Sequence, residues 1–275
     1  RVIHGHPDFF NITKKFHNAL QGDNINFSRL KRSVYTEANE QFTTYSNIDH
    51  DAVIIHYPQP LPLIRYFKKR QPWIWRAHID LSEPNEEVWK YLKQFIIRYD
   101  RVIFSAKDFI SSDVETETDI IYPSIDPLTV KNKDIDQATI DKYLSKYGIK
   151  DDKPIISQIS RFDKWKDPEG VIEVFDRVNE EIDCRLVLLG AMATDDPEGP
   201  KIYEAVVEKA KGRDDIVVIN KESDILVNVI QRVSSVVLQK SLKEGFGLTV
   251  TEALWKSSPV VASNVGGIPL QVTNG

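Results

Sequence analysis

The chain has 275 residues, which is long for one ordinary α/β domain and typical of two domains of about 120–150 residues each. Its residues are 41% hydrophobic and 10% aromatic, enough for two cores, and a net charge of −5 without an arginine-rich run excludes a general nucleic-acid binder. The single cysteine, Cys184, excludes an internal disulfide framework and a four-cysteine zinc site, and it indicates a reducing compartment, the cytoplasm.

The opening segment RVIHGHPDFF contains no apolar region of the signal-peptide type and predicts a strand entered from upstream. No apolar run approaches the roughly 20 residues that span a bilayer, which argues against a membrane partner. A chain that starts inside a strand and ends in the turn signal 271-QVTNG-275 is typical of a piece of a longer protein.

Short apolar runs alternate with segments of helical period over most of the chain. The predicted strands are 52–56, 73–78, 101–106, 119–123, 155–160, 185–190, 216–220, 235–240 and 259–263. Most of these runs are continuously apolar, as expected for parallel strands that are covered on both faces. The predicted helices are 85–100, 137–149, 168–182, 200–212, 225–233 and about 247–256. This alternation predicts α/β architecture with doubly wound, Rossmann-like sheets.

A break between two domains is predicted at 123-PSIDPLTVKNKDID-136, which has two prolines and little apolar periodicity. The predicted domains are residues 1–130 and residues 131–275. All six histidines precede the break. Any acid–base histidine must therefore come from the first domain.

In the first domain, the segment 75-WRAHID-80 brings Arg76, His78 and Asp80 to the carboxyl end of a predicted strand. Strand alternation predicts that these three side chains share one side. They form either a ligand site or a strand-end ion pair with a hydrogen-bonded histidine. The segment 56-HYPQP-60 follows another strand, and for His56 and Gln59 a structural turn and a ligand site are equally supported.

In the second domain, a buried strand runs out into the basic loop 160-SRFDKWK-166, and a helix is predicted to begin near Pro168. Ligands of doubly wound sheets bind at the carboxyl ends of strands, beside helix N-termini. Arg161 and Lys166 could therefore converge on a pair of phosphates. The alternative is a solvated basic loop.

The segment 243-KEGFGLTVTE-252 also joins a strand end to a predicted helix start, where unpaired N–H groups and the helix dipole attract anions. Gly245 and Gly247 lack Cβ atoms and allow close approach of a ligand to the backbone. Carboxylates accept hydrogen bonds from vicinal hydroxyls. Glu244 and Glu252 are therefore predicted to bind the hydroxyls of a sugar and of a ribose, on either side of a diphosphate. The alternative is a capping glutamate followed by a surface glutamate.

Taken together, SRFDKWK and EGFGLTVTE resemble the donor-site signature of retaining glycosyltransferases of the glycogen-synthase and sucrose-synthase type, and 264-NVGGIP-269 resembles the loop that follows it there. The resemblance covers the whole chain. Within that group the chain is similar to trehalose synthases, which join nucleotide-activated glucose to free glucose. The segments that carry this closer resemblance are 9-FFNITKKFHNALQG-22, 56-HYPQP-60, 75-WRAHIDLSEPN-85 and 195-DDPEG-199.

The resemblance implies the GT-B fold, in which two Rossmann-like domains, the first on the acceptor side and the second on the nucleotide-sugar side, face a cleft. It implies that Arg161 and Lys166 neutralise the departing diphosphate, and that Glu244 binds the donor sugar. The remaining donor-binding residues implied are Glu252 at the ribose and Gly245, Phe246, Gly247, Leu248 and Thr249. No metal and no cofactor are implied, because arginine and lysine supply the positive charge. The partners implied are a sugar nucleotide and a sugar acceptor, and a homodimer is left open.

In the resembled family a histidine at the position of His78 contacts the transferred sugar. Arg76 and Asp80 are then acceptor-side ligands or fix the imidazole, and His56 and Gln59 are acceptor-side candidates. This chain departs from the trehalose-synthase pattern at Tyr57, where an aspartate usually follows the histidine. The departure bears on which acceptor is used.

Family members usually carry a glycine-rich loop after their first strand and C-terminal helices that cross back onto the first domain, and neither is visible in this chain. Three functions fit the residues: a nucleotide-sugar-dependent trehalose synthase, a trehalose phosphorylase of the same fold, and a non-catalytic nucleotide-sugar-binding fragment. A dinucleotide-dependent Rossmann enzyme is rejected, because no G-x-G-x-x-G follows a strand.

Overall fold

The computed structural model describes residue 3, residues 5–192 and residues 196–273. The chain divides into two compact units. Unit 1 holds the residues up to Pro123 together with Asp196 and Pro197, and unit 2 begins at Ser124 and holds the rest. Each unit has its own parallel sheet.

The described residues of unit 1 form three helices and a four-stranded sheet. In chain order its elements are α1 (Pro7–Leu20), α2 (Arg29–Tyr45), β1 (Val53–His56), β2 (Trp73–Arg76), α3 (Glu86–Ile96), β3 (Arg101–Phe104) and β4 (Thr118–Ile120), with short 3₁₀ helices at Leu61–Arg65 and Lys107–Phe109. The strands lie in the order β1-β2-β3-β4, and every neighbouring pair is parallel. A parallel pair needs a crossover between its strands, and the intervening helices provide it.

The start of unit 1 differs from the sequence prediction. From Pro7 onward the predicted strand is wrong, because a helix begins there, and residues 1, 2 and 4 lie outside those described. Proline fits the first turn of a helix, and the His6 side chain accepts a hydrogen bond from the backbone N–H of Asp8 at 3.3 Å. Lys14 of this helix is buried, with its Nζ 2.6 Å from Asp196 Oδ2 in the same unit.

The core of unit 1 is rich in aromatic side chains. Trp73 and Trp75 of β2 are fully buried, and so is Tyr35 of α2. The Tyr35 ring packs edge-on against Phe16 at 5.0 Å between centroids, and its hydroxyl donates to the Pro58 carbonyl. Burying aromatic rings in such pairs stabilises the unit, and the polar ends find partners in the backbone.

Five helices and a five-stranded sheet are formed by the part of unit 2 that the structure describes. Its elements are α4 (Gln137–Lys146), β5 (Ile155–Ile159), α5 (Pro168–Asn179), β6 (Arg185–Gly190), α6 (Gly199–Ala210), β7 (Ile216–Asn220), α7 (Asp224–Val233), β8 (Val236–Gln239), α8 (Leu248–Trp255) and β9 (Val260–Ala262), with 3₁₀ helices at Lys164–Lys166 and Ile268–Leu270. The strand order is β7-β6-β5-β8-β9, and all neighbouring pairs are parallel.

The sheet of unit 2 is covered on both faces, which explains its continuously apolar strands. Ile156 of β5 and Leu186 of β6 pack in one apolar cluster with Phe175 of α5. On the other face, Ile155 and Val187 pack in a second cluster with residues of α7. The predicted doubly wound α/β class is confirmed.

The connections of unit 2 reverse direction beside β5. From β5 the chain winds outward through β6 and β7, then returns to β8 on the opposite side of β5 and continues to β9. Such a reversal is a topological switch point, where the loops after two adjacent strands diverge and leave a crevice at the carboxyl edge of the sheet. The loops after β5 and β8 therefore define the place where a ligand of unit 2 is expected.

Candidate functional site

The two loops at the switch point of unit 2 are joined by an ion pair. The Lys166 ammonium contacts Glu244 Oε2, and the same oxygen accepts hydrogen bonds from Gln239 Nε2 and Ser241 Oγ, each at 3.1 Å. The Glu244 side chain is only 9% exposed and that of Lys166 17% exposed. The structure therefore brings together two residues that are 78 positions apart and that the sequence assigned to one site.

A second set of contacts fixes the backbone of the same loops. Gln158 is the second-last residue of β5. Its side chain donates to the Lys166 carbonyl at 2.8 Å and accepts from the Lys240 backbone N–H at 3.0 Å. The Lys240 ammonium contacts Asp167, which also caps α5 by accepting from the Gly170 N–H at 3.1 Å. The polar groups at the switch point are thereby held in position before any ligand arrives.

Arg161 differs from Lys166 in its surroundings. Its side chain is 51% exposed, and its Nη2 lies 3.8 Å from the buried Asp163 Oδ2. Asp163 also accepts from the Trp165 backbone N–H at 2.9 Å, which starts the 3₁₀ turn. A guanidinium that is half open to solvent can bind an anion in a bidentate manner.

The N-terminus of α8 lies at the end of the second loop. Gly247, with φ at +85°, is the N-cap residue and provides no side-chain cap. The first helical residues are Leu248 and Thr249, whose N–H groups lie at the positive end of the helix dipole. The donor-binding stretch predicted from the sequence, Gly245 to Thr249, thus combines a glycine turn with a helix start.

The shape of this turn is fixed by the loop that follows β9. Gly266, with φ at +56°, approaches so closely that a Cβ atom there would lie 1.7 Å from the Glu244 carbonyl oxygen. A Cβ atom at Gly267 would lie 2.8 Å from the Phe246 Cα. The Gln271 amide adds a hydrogen bond to the Phe246 carbonyl. We call this contact of Gly266 and Gly267 with the 244–246 backbone the glycine clamp.

Glu252 lies in the second turn of α8 and is buried. Its Oε1 is 3.2 Å from Lys131 Nζ, and its main-chain carbonyl accepts from Lys256 Nζ at 3.2 Å. Lys256 Nζ also donates to Asn132 Oδ1 at 2.8 Å. Burial lowers the pKa of Lys256 to about 8, against the opposing effect of the nearby Glu252 charge. Sequence analysis missed Lys131 and Asn132, because nothing in the chain marks their contact with a helix more than 100 residues away.

In unit 1, two predicted histidines meet at the carboxyl ends of β1 and β2. His56 Nδ1 and His78 Nε2 are 2.7 Å apart, and the rings stack at 5.0 Å between centroids. The Tyr57 ring lies 4.6 Å from His78, and Tyr57 adopts φ of 65°, which is uncommon for an aromatic residue. Burial, with the nearby His56 and Arg76 charges, lowers the pKa of His78 to about 4. Its imidazole is therefore neutral near pH 7.

This shift predicts that stability falls in mild acid. Below the ordinary histidine pKa of 6.5 the unfolded chain takes up a proton at His78, whereas the folded chain does so only near pH 4. The free energy of unfolding is therefore expected to decrease as pH falls from 6.5 toward 4. His78→Gln is expected to flatten this dependence in urea titrations at several pH values. His50→Gln, at an exposed histidine, is the control. Equal pH slopes in the wild type and His78→Gln would contradict the assignment.

Two other first-domain candidates, Arg76 and Asp80, make hydrogen bonds within unit 1. Arg76 is buried, and it donates to the Phe104 carbonyl at 3.1 Å and the Ile121 carbonyl at 2.7 Å, which ties β2 to its neighbours. Asp80 is buried and accepts from the backbone N–H and the hydroxyl of Ser82, at 2.9 and 2.6 Å. β2 ends at Arg76, two residues before the predicted end of the strand, so strand alternation does not extend to His78 and Asp80. That the three side chains share one side stays a prediction.

Gln59 lies in the turn that follows β1. Its carbonyl accepts from Asn39 Nδ2 at 3.0 Å, and its side-chain Oε1 is buried without a hydrogen-bond partner among the described residues. A buried acceptor without a partner is costly and rare in native structures, and a functional role is one explanation for it. Gln59 therefore stays an acceptor-side candidate.

Two further properties concern only the described part of the chain. Within residues 3, 5–192 and 196–273, the structure contains no cluster of three or more His, Cys, Asp or Glu side chains suited to a metal ion. None of the helices in those ranges has the length and apolar character needed to cross a membrane.

Comparison with known protein families matches both parts of the chain. The family model described as "Trehalose synthase, N-terminal domain" matches residues 1–111, and the model "Glycosyl transferases group 1" matches residues 139–275. The two matches leave residues 112–138 between them.

Individual relatives agree with the family models. A trehalose synthase from Thermococcus litoralis is 46% identical over 281 residues, covering 100% of this chain and 68% of the relative. A trehalose phosphorylase from Grifola frondosa is 31% identical, covering 98% of this chain and 43% of that protein. A solved trehalose-6-phosphate synthase matches with a TM-score of 0.75 at 16% identity, covering 96% of this chain and 71% of that one. This last likeness shows the GT-B fold alone.

Proposed function

The chain belongs to the trehalose synthase family of glycosyltransferases, and from that we propose that it transfers glucose from a nucleoside-diphosphate-glucose to glucose, forming trehalose with retention of configuration. One observation carries the proposal. At the switch point of unit 2, Lys166 and Glu244 form a hydrogen-bonded pair next to the exposed Arg161 and the uncapped start of α8. This arrangement supplies cations and amides for a diphosphate and a carboxylate for sugar hydroxyls.

The proposed reaction breaks the bond between the glucose C1 and the diphosphate oxygen. Negative charge grows on the departing diphosphate, and Arg161, Lys166 and the amides of Leu248 and Thr249 stabilise it. The acceptor hydroxyl attacks from the same face, and its proton passes to the departing phosphate oxygen. No enzyme nucleophile is needed for retention in this scheme. Glu244 orients the donor sugar by accepting hydrogen bonds from its hydroxyls.

The Lys166–Glu244 contact also suggests how the site responds to its ligand. In the ligand-free protein each charge satisfies the other. We propose that an arriving diphosphate draws the Lys166 ammonium toward itself and leaves Glu244 Oε2 with its bonds to Gln239 and Ser241. The carboxylate then has capacity for sugar hydroxyls, because a carboxylate oxygen accepts more than one hydrogen bond.

In unit 1 we propose that the neutral His78 imidazole forms a hydrogen bond with a sugar hydroxyl. The 2.7 Å contact with His56 fixes the tautomer of His78. His56 and Gln59 are proposed on the acceptor side. Arg76 and Asp80 are proposed to act through the fold that presents His78, since both form hydrogen bonds within unit 1. Tyr57 stands where an aspartate is usual in the trehalose-synthase pattern. The acceptor preference is the part of the proposed function that this difference affects.

We further propose that the reaction needs no metal ion, because Arg161 and Lys166 supply the positive charge at the diphosphate. A cytoplasmic location is proposed from the single, buried Cys184. A homodimer is left as a prediction for a sedimentation measurement.

The second candidate function is phosphorolysis of trehalose. It is supported by the 31% identity to the Grifola frondosa trehalose phosphorylase. In this reaction inorganic phosphate would occupy the Arg161 and Lys166 site, and glucose 1-phosphate and glucose would be the products. The contacts of unit 2 serve either reaction, since both place a phosphate at the same cations.

A product analysis of the full-length natural protein distinguishes the two reactions. Trehalose is expected by mass spectrometry from glucose with ADP-, UDP- or GDP-glucose, with equal yield in EDTA. Formation of glucose 1-phosphate from trehalose and phosphate, without any synthesis from the three sugar nucleotides, would establish the phosphorylase instead. Nucleotide binding without turnover in either direction would identify a non-catalytic protein.

A further inference from the structure

The segment between the first sheet and α4 is anchored to the helices of unit 2. The Asn228 side-chain amide of α7 donates to the Val130 carbonyl at 2.9 Å and the Lys133 carbonyl at 2.8 Å. One turn later, Arg232 binds the Asp134 carboxylate at 2.8 Å. The backbone on both sides of position 131 is therefore held by α7.

The same segment is also anchored to α8. The Asn132 side chain is buried and accepts from Lys256 Nζ at 2.8 Å. Lys256 lies one turn after Glu252 and donates to the Glu252 carbonyl as well. With its two neighbours fixed, Lys131 extends over Glu252, and its Nζ lies 3.2 Å from Oε1.

This ion pair is unlike an ordinary surface pair. Exposed pairs contribute little, because holding two long side chains costs entropy and water screens the charges. Here the Glu252 side chain is 7% exposed and that of Lys131 is 34% exposed, and the backbone of both is fixed. The lysine thus covers the solvent side of a buried carboxylate, which is the side a ligand must approach.

We propose that Lys131 is a nucleotide-binding residue that reads the ribose together with Glu252. The inference rests on the proposed function, in which Glu252 accepts hydrogen bonds from the ribose hydroxyls. Each hydroxyl of a ribose is both a donor and an acceptor. A carboxylate accepts hydrogen bonds from the hydroxyls of the diol, and an ammonium, with three N–H donors, donates a hydrogen bond to a hydroxyl oxygen. Glu252 and Lys131 together match both properties of the diol.

This pairing has a consequence for selectivity. In the ligand-free protein the two groups satisfy each other, and a nucleotide gains hydrogen bonds from them only through its ribose hydroxyls. The protein should therefore prefer ribonucleotides, and Lys131 should contribute only where hydroxyls are present. A lysine that served only as a counter-ion would affect all nucleotides alike.

The test compares ADP, UDP and GDP with their 2′,3′-dideoxy counterparts by isothermal titration calorimetry. Lys131→Met is expected to weaken the ribonucleoside diphosphate by about tenfold, as for the loss of one hydrogen bond to a charged group. Binding of the dideoxy counterpart should be unchanged. Lys133→Met is the matched control, because Lys133 is exposed in the same segment and contacts α7 only through its carbonyl in the bonds described above. Lys131→Arg, which keeps the charge and the donors, should restore most of the affinity.

The outcomes separate this inference from the proposed function. Equal losses for ribose and dideoxy nucleotides in Lys131→Met, or no loss for either, would overturn the role of Lys131 while nucleotide binding by the wild type stands. A wild type that binds none of the three nucleoside diphosphates would overturn the proposed function and this role with it. If Lys131→Met failed to fold, Lys131→Ala, which also removes the ammonium, would be the second variant, and an unchanged preference for ribose over dideoxy nucleotides in it would overturn the role of Lys131.

Discussion

Replacing Arg161 with alanine is expected to lower kcat by about 10²–10³-fold, the usual effect of removing one preorganised group that stabilises transition-state charge. The guanidinium is half exposed, so its loss should change the free energy of unfolding by no more than about 0.5 kcal/mol. Steady-state kinetics with the sugar nucleotide identified for the wild type measures kcat and KM separately. We expect the loss mainly in kcat, because the charge on the diphosphate grows as its bond to glucose breaks.

Lys164→Ala is the matched control for Arg161→Ala. Lys164 lies in the same basic loop, and its ammonium packs over the Trp165 ring at 4.6 Å from the centroid. Its removal deletes the same charge from the loop without touching the proposed phosphate site. If both variants lost equal activity, the loop would act through its overall charge, and the assignment of Arg161 would be wrong.

Replacing Glu252 with glutamine is expected to weaken binding of the nucleoside diphosphate by about 10²-fold, since two charge-assisted hydrogen bonds to the ribose become neutral ones. Glutamine keeps the size of the side chain, so α8 should pack as before. Calorimetric titration of the nucleoside diphosphate measures the effect directly. A modest loss of stability is also expected, because Lys131 and the buried Lys256 lose a nearby negative charge.

Glu173→Gln controls for the charge change. Glu173 lies in the second turn of α5, is exposed, and pairs with Lys209 at 3.2 Å. Nucleotide affinity should be unchanged in this variant. Wild-type affinity in Glu252→Gln would show that Glu252 serves the fold of unit 2 and not the ribose.

The sheets could be predicted from the sequence because their strands are covered on both faces. A strand such as Arg185–Gly190 is fully buried and therefore apolar along its whole length, apart from Arg185, whose guanidinium is satisfied by Asp152. The helices at the start of the chain could not be predicted in this way. α2 buries few of its residues, and its interior apolar contacts come from only a few positions such as Tyr35 and Phe42, so helical periodicity is weak there.

The candidate site of unit 2 was predictable in its outline, because Arg161, Lys166 and Glu244 each follow the carboxyl end of a strand. What the chain order does not reveal is the packing that holds them. Gln158 links two loops through its side chain, and Lys131 reaches Glu252 from a segment that looked like a linker. These contacts depend on tertiary structure, and neither periodicity nor local charge marks them. In unit 1, nothing in the segment 73-WIWRAH-78 marks the end of β2 at Arg76.

The glycine clamp restricts how the donor loop can change over generations. A side chain at either glycine would collide with the 244–246 backbone, and Gly266 also needs a backbone conformation that other residues rarely adopt. Random mutation cannot therefore reshape this loop by single steps at the clamp, and altered donor preference should arise at positions around it. In a library selected for a new nucleotide, we expect no substitutions at Gly266 or Gly267, so the clamp marks the part of the site that selection must keep.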